Sequence, residues 1–162
     1  MNLKTGVFEW NIDEIAAALR ITREDARAYF TDGRRVSFLL KRRIAYEVLE
    51  GSLAPSEGAG YDVLDKNGLK WEVRSISRGG IYFCPSYMVG SGRSFGETGF
   101  LQKLEEIEGY VVSDIENFPA IPYWIISRQV VHNWWTQGQL GNTTKISREK
   151  ALSLLKRVFH VS

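Results

Sequence analysis

The chain lacks the residues that build covalent cross-links and cysteine-based metal sites. Its 162 residues include one cysteine, Cys84, and two histidines, His132 and His160. A single cysteine cannot form a disulfide within the chain, and structural zinc sites need four Cys or His ligands in almost all cases. These absences exclude a fold held together by disulfides or by a cysteine metal cage.

Long apolar runs are also missing. No segment approaches the roughly 18 apolar residues of a membrane span, and the first ten residues, MNLKTGVFEW, lack the apolar core of a signal peptide. Hydrophobic residues make up 44% of the chain and charged residues 25%, which is average for a globular protein. We therefore expect a cytoplasmic protein without membrane contact. We expect one domain over residues 1–162, with a helical region at 1–50 and a sheet-containing core at 51–162.

Net charge is only +2, but the basic residues are unevenly distributed. Between positions 20 and 43 the chain has eight basic residues against three acids. The basic residues there are Arg20, Arg23, Arg27, Arg34, Arg35, Lys41, Arg42 and Arg43. A second cluster near the C-terminus comprises Lys145, Arg148, Lys150, Lys156 and Arg157. Such clusters indicate an anionic partner, nucleic acid first, although an ordinary solvated helix face is the alternative.

Capping residues and apolar periodicity predict helices in the N-terminal region. Asn11 or Asp13 caps a first helix and Thr22 a second, while a third helix is expected over residues 36–49. On that third helix Lys41, Arg42 and Arg43 are expected to face solvent. The first two helices resemble a helix-turn-helix, but the favoured interpretation is that they pack on a sheet through four apolar residues. These residues are Ile15, Leu19, Ile21 and Phe30.

The rest of the chain alternates strands with helices. Strands are predicted within 60–77 (a hairpin), 81–89, 109–115 and 122–127, and helices at 100–107, 130–136 and from Arg148 onward, with Ser147 as the last cap. A glycine-dense loop at 90–99 precedes the helix at 100–107, and its Arg93 is a candidate phosphate contact. This order predicts an α/β (α+β) fold with a mixed central sheet flanked by helices.

The hairpin contains the candidate chemistry. Asp62 begins its first strand, and alternation puts Lys70, Glu72 and Arg74 on one face of the second strand. Carboxylates brought together at a sheet edge suit a hard divalent cation such as Mg²⁺. The alternative is an exposed charged strand face, whose ion pairs contribute at most about 1 kcal/mol to stability.

This arrangement resembles the PD-(D/E)xK nuclease superfamily, in which an Asp begins one strand of a hairpin and Glu-x-Lys follows on the next. Asp62 matches the first acid, Glu72 the second, and Arg74 stands where the lysine is expected. The superfamily often adds an acid on an upstream helix, and Glu47 is placed for it, with Glu50 as second choice. The resemblance covers roughly residues 47–77. It departs from the pattern at Tyr61, in place of proline, and at Arg74.

The resemblance implies a restriction-endonuclease-like fold. It also implies that the chain is a metal-dependent DNA endonuclease, with a type II restriction enzyme as one candidate. Asp62, Glu72 and Glu47 would hold one or two Mg²⁺ ions, and Arg74 or Lys70 would share the charge of the phosphate. Double-stranded DNA would be the substrate and a homodimer the cutting form. DNA contacts are expected from Arg34, Arg35, Lys41, Arg42, Arg43 and Arg93.

Two other functions are compatible with the sequence. An arginine guanidinium stays protonated at any relevant pH, so a non-catalytic DNA-binding protein of the same fold is the first alternative. A small-molecule or protein-binding α/β domain is the second.

Overall fold

The computed structural model describes residues 4–160, and its centre is a six-stranded mixed sheet. The strands in chain order are β1 Lys4–Glu9, β2 Ser52–Leu53, β3 Val63–Leu64, β4 Lys70–Ile76, β5 Ile81–Tyr82, β6 Gly109–Asp114, β7 Ala120–Ser127 and β8 Lys145–Ile146. The sheet order is β1-β7-β6-β4-β3-β2, in which β4 and β6 are parallel and the other neighbours antiparallel. β5 and β8 form a separate antiparallel pair. The predicted mixed α/β class is confirmed.

Six α-helices accompany the sheet, and the predicted caps are present. The helices are α1 Ile12–Leu19, α2 Arg23–Phe30, α3 Gly33–Arg43, α4 Glu97–Glu106, α5 Arg128–Thr136 and α6 Arg148–His160. Asn11 accepts hydrogen bonds from the first turn of α1, Thr22 Oγ1 accepts from the Asp25 N–H at 3.0 Å, and Ser147 Oγ accepts from the Lys150 N–H at 3.2 Å. The third helix begins earlier than expected because Asp32 caps it, and it ends in a π-helical turn, Ile44–Val48.

Alternation along the strands divides the core between the two faces of the sheet. On β6, Val111 joins an apolar cluster with side chains of α1, α2 and α3, whereas Tyr110 and Val112 join a second cluster with α4, α5 and α6. The N-terminal helices therefore cover one face and the C-terminal helices the other. Phe30 is buried as expected, but Leu19 is 55% exposed, so its predicted packing on the sheet is wrong.

Two features of the sheet were not predicted. β1 occupies one edge although the first 50 residues were expected to be helical, and of its six residues only Phe8 is buried. So little burial gives weak alternation, which is why the sequence does not reveal the strand. The strand expected over 81–89 is shortened to β5, and a 3₁₀ turn, Ser86–Met88, follows it.

The hairpin and the crossover after it position the candidate site. Asp62 directly precedes β3, and its N–H donates to the Trp71 carbonyl at 3.1 Å, so the acid lies against β4. β4 continues into the sheet between β3 and β6, where Glu72 is paired with Tyr110 and Arg74 with Val112. Because β4 and β6 are parallel, the chain must cross the sheet between them, and that crossover contains α4. Within residues 4–160 no helix has the length and apolarity to cross a membrane.

Candidate active site

A cavity of about 750 Å³ opens where the hairpin, α3 and α4 meet. Asp62, Glu72 and Arg74 line it, together with Lys41 from α3 and Lys103 from α4. Five charged side chains are thus concentrated at one place on the sheet. Glu72 and Arg74 are only 5% and 9% exposed, so the alternative of an exposed charged strand face is wrong.

Asp62 is fixed by the strand next to it. Its Oδ2 accepts a hydrogen bond from the Val73 N–H at 2.8 Å, and its Oδ1 lies 2.9 Å from Lys41 Nζ. Burial opposes ionisation, but the charges of Arg74 and Lys41 and the Val73 hydrogen bond together lower the pKa of Asp62 below its usual value. The carboxylate is therefore held charged at the cavity wall.

Glu72 has a cation on each of its oxygens. Oε2 lies 2.8 Å from Arg74 Nη1, and Oε1 lies 2.8 Å from Lys103 Nζ. Because Lys103 belongs to α4, the crossover helix contacts the Glu72 carboxylate, whereas the other cation, Arg74, belongs to the same strand as Glu72. Two cations on one buried carboxylate give it full electrostatic compensation.

Three oxygens converge on Arg74 Nη1. The nitrogen lies 2.8 Å from Glu72 Oε2, 3.0 Å from the Val73 carbonyl oxygen and 3.5 Å from Asp62 Oδ2. Two carboxylates and one carbonyl thus surround a single position that holds positive charge. A hard cation prefers oxygen ligands of this kind.

The guanidinium of Arg74 is held on several sides. Nη2 donates to the Cys84 carbonyl at 3.2 Å, and the group lies 5.1 Å from the ring centre of Tyr82 and 6.0 Å from that of Tyr110. Burial alone would lower the pKa of Arg74, but Glu72 and Asp62 beside it raise the pKa above its usual value. Its charge is therefore permanent, as the sequence indicated.

The cluster has more cations than buried acids. Arg74, Lys41 and Lys103 face Asp62 and Glu72, and the nearest additional acid is Glu57, at 3.7 Å from Lys41. The side chain of Glu57 is 94% exposed, so water screens it strongly. This surplus of positive charge favours an anionic ligand in the cavity.

Two of the predicted site residues lie elsewhere. Glu47 pairs with Arg43 at 2.9 Å, and it is not among the residues that line the cavity, so its placement beside Asp62 and Glu72 was wrong. The π-helical turn contains Glu47 with its side chain 52% exposed, which directs the acid outward. Glu50, the second choice, pairs with Lys66.

Lys70 is the second correction. It was expected to accompany Glu72 and Arg74 on one strand face, yet it is exposed, lies 5.3 Å from the ring centre of Tyr61 and does not line the cavity. Lys70 begins β4, where the strand is still close to solvent.

The six residues predicted to contact DNA have different environments. Arg34 lies at the cavity with its side chain 89% exposed, and both Arg34 and Arg35 pair with Asp32. Arg93 is exposed on the glycine-dense loop and donates to the carbonyls of Ser86 and Val89.

The three consecutive basic residues of α3 were all expected to face solvent. Only Arg42 does so, and it lies 5.1 Å from the ring centre of Tyr46. Lys41 is instead directed at Asp62, and Arg43 lies 4.4 Å from the ring centre of Trp10. A helix turns by about 100° per residue, so three neighbours cannot share one face.

Sequence reasoning missed Lys103 and the Val73 carbonyl. Lys103 lies one position before the buried Leu104, and its own segment shows no motif. The carbonyl has no side-chain signal at all. Only the crossover brings Lys103 to Glu72, and only the strand geometry brings the carbonyl to Arg74 Nη1.

The donor set fits a magnesium-like ion by its chemistry. Within residues 4–160 no three His, Cys, Asp or Glu side chains form a metal-binding group. The Val73 carbonyl supplies the third oxygen, beside Asp62 and Glu72, at the position of Arg74 Nη1. An ion could take that position only if the guanidinium moved away.

Comparison with known proteins identifies no relative of this chain. No family model, no curated protein and no solved structure matches the chain. The resemblance to the PD-(D/E)xK superfamily therefore stays a prediction from the motif. What the chain does has to be inferred from its own residues.

Proposed function

We propose that this chain is a metal-dependent DNA endonuclease with a PD-(D/E)xK-like site. The supporting observation is the convergence of the Asp62 and Glu72 carboxylates and the Val73 carbonyl on one point at the cavity wall. Oxygens brought together in this way are what a catalytic Mg²⁺ needs. The mixed sheet flanked by helices is also the arrangement that the superfamily uses.

The residues of the chain have separate tasks in this proposal. Asp62, Glu72 and the Val73 carbonyl would hold the metal, after the Arg74 guanidinium that now contacts all three has moved away. Bound Mg²⁺ would lower the pKa of a water molecule and stabilise charge on the phosphate. The Val73 N–H and Lys41 keep Asp62 charged and oriented, and Lys103 orients Glu72.

Double-stranded DNA is the proposed substrate. The cavity has surplus positive charge, and the side chain of Arg34, which pairs with Asp32 at the cavity, is 89% exposed where a DNA backbone would pass. A single such site cuts one strand at a time. We therefore propose that a homodimer, whose two-fold axis would match a palindromic sequence, cuts both strands.

The direct test is cleavage of supercoiled plasmid with Mg²⁺ or Mn²⁺ and with excess chelator. We expect nicking that needs the metal and that disappears in Asp62→Asn and Glu72→Gln. Glu47→Gln is the matched control, since Glu47 was the motif's other candidate acid and lies outside the cavity. Wild-type activity in Asp62→Asn, or none in the wild type with either metal, would contradict the proposal.

A second function is favoured by the environment of Arg74. The guanidinium fills the position of a cation and is held by Glu72, two carbonyls and two tyrosine rings. If it never leaves, the chain binds DNA without cutting it. Salt-sensitive DNA binding with no cleavage under any metal condition would support this alternative.

A further inference from the structure

Arg74 is the residue that the motif places at the substrate phosphate, but its two terminal nitrogens contact groups inside the protein. Nη1 contacts Glu72, Asp62 and the Val73 carbonyl, and Nη2 contacts the Cys84 carbonyl. Nε has no hydrogen-bond partner within residues 4–160 and is fully buried. A side chain that is 9% exposed and bound at both Nη1 and Nη2 is poorly placed to reach a ligand in the cavity.

Lys103 is differently placed. Its side chain is 11% exposed and lines the cavity, and Glu72 Oε1 is its one ion-pair partner within the described part of the chain. An ammonium has three N–H donors, so two remain when Glu72 takes one. Because Glu72 also pairs with Arg74, it neutralises only part of the positive charge of Lys103.

Lys41 is the other ammonium in the cavity that pairs with a site carboxylate, and it has more acidic partners than Lys103. It lies 2.9 Å from Asp62 Oδ1 and 3.7 Å from Glu57 Oε2. Burial opposes its charge, but these two acids raise the pKa of Lys41 above its usual value. Lys41 therefore pairs with Asp62 and with the exposed Glu57, whereas Lys103 pairs among the described residues with Glu72 alone, which also pairs with Arg74.

We propose that Lys103 presents the positive charge and the N–H donors that meet the substrate phosphate, and that Arg74 holds the two carboxylates in position until a metal ion takes the place of its Nη1. The inference rests on the proposed function, because it concerns the phosphodiester that the site would cut. Under this assignment, Lys103 on the crossover helix α4 takes the role that the motif gives to a lysine on β4. Both cations contact Glu72: Arg74 from the same strand, and Lys103 from the helix that covers this face of the sheet.

Removing and restoring the ammonium tests this assignment. We expect Lys103→Ala to slow single-turnover cleavage by about 10²-fold or more, as the loss of one strong electrostatic donor does. Methylammonium should restore at least a tenth of the lost rate, whereas tetramethylammonium, which has the charge but no N–H, should not. Lys66→Ala is the control, because Lys66 also pairs with one acid, Glu50, but lies outside the cavity.

A purely structural role for Lys103 would give a different result. It would lower the melting temperature and would not respond to the amine. Lys103→Arg keeps the charge and N–H donors, so it should retain more activity than Lys103→Ala even if the alanine variant folds poorly. Cleavage by Lys103→Ala at the wild-type rate, or a folded variant that neither amine nor arginine rescues, would overturn the inference.

The inference and the proposed function can fail separately. If the wild type cleaves and Asp62→Asn does not, the function stands whatever Lys103→Ala does. If the wild type never cleaves, the proposed function fails, and binding of a labelled DNA duplex without metal decides about Lys103. There, Lys103→Ala should reduce the slope of log K against log salt by about 1, and an unchanged slope would overturn the inference.

Discussion

Two buried acid–arginine clusters lie on the neighbouring strands β4 and β6, and they differ in a way that matters for function. The site cluster consists of Asp62, Glu72, Arg74, Lys41 and Lys103. The strand-end cluster consists of Asp114 at the end of β6, with Asn117 and Arg148. Asp114 is 1% exposed and Glu72 is 5% exposed, so each cluster has a deeply buried carboxylate.

The strand-end cluster is closed. Arg148 binds both oxygens of Asp114, at 2.6 and 3.2 Å, and Asn117 Nδ2 donates to one of them at 2.7 Å. The side-chain hydrogen bond to Asp114 raises the pKa of Arg148, with burial opposing it. One cation balances one acid, and none of the three residues lines the large cavity.

The site cluster is open by contrast. It has three cations for two acids, the buried Glu72 and the partly buried Asp62, and all five side chains line the cavity. A buried ion pair is weak evidence of stability or function by itself. The surplus charge and the cavity, rather than the burial of carboxylates, are what mark the site cluster as functional.

The largest expected effect is a loss of cleavage activity when an acid of the site cluster, but not of the strand-end cluster, is replaced. Asp62→Asn should lower metal-dependent cleavage by at least about 10⁴-fold, about 5.4 kcal/mol, because it removes a charged metal ligand. DNA affinity should be kept or increased, since a carboxylate also repels phosphate. Asp114→Asn should leave the rate per folded molecule within about threefold. The measurements are single-turnover cleavage and anisotropy with labelled duplex, and equal losses in both variants would remove the distinction.

Arg74→Ala should produce the next largest effect, on stability. The sequence-based expectation for a half-exposed strand ion pair was at most about 1 kcal/mol. The observed burial of Arg74 and its carboxylates changes this to a loss of about 3–5 kcal/mol in the free energy of unfolding. Urea unfolding followed by circular dichroism measures it.

The comparison for Arg74→Ala is Arg148→Ala. The side chain of Arg148 is 28% exposed, and Asn117 still donates to Asp114, so we expect a smaller loss of about 2 kcal/mol. A loss below 1 kcal/mol in Arg74→Ala would show that Lys41 and Lys103 suffice to hold the two acids.

The exposed arginines should contribute to DNA affinity without affecting chemistry. Replacing Arg34 and Arg35 with Gln should reduce the slope of log K against log salt by about 1–2, since each phosphate contact contributes about 0.9. Arg43→Gln is the control, because this arginine stacks on Trp10 and pairs with Glu47. Anisotropy titrations at several salt concentrations give the slopes. An equal change in the control would mean that general charge, not the cavity rim, governs binding.

The smallest expected effect is the acid dependence of stability. The pKa of Asp62 is lowered in the folded protein, so its contribution is complete at pH values above the unfolded pKa and is lost as the pH falls through the folded pKa. Wild-type stability should therefore decrease below about pH 4, and more steeply than that of Asp62→Asn. Asp13→Asn, at an exposed acid, serves as control. Urea unfolding at pH 2–7 provides the curves, and parallel curves for wild type and Asp62→Asn would argue against this linkage.

Local features of the sequence determined much of the fold. The caps Asn11, Thr22 and Ser147 define helix starts because each acts over two or three residues. The hairpin brings Asp62 and Glu72 together because strand pairing relates positions ten residues apart through a short turn. The mixed sheet with flanking helices follows from the order of such elements.

Tertiary structure alone decided the rest of the site. Lys103 reaches Glu72 across 31 positions only because the crossover between the parallel strands β4 and β6 places α4 over that face of the sheet. Lys41 turns to Asp62, while Glu47 turns outward in the π-helical turn, and both directions depend on how α3 packs. Local propensity and alternation fix what a few neighbouring residues do. The direction of a long charged side chain depends instead on which distant charge the packing brings within reach.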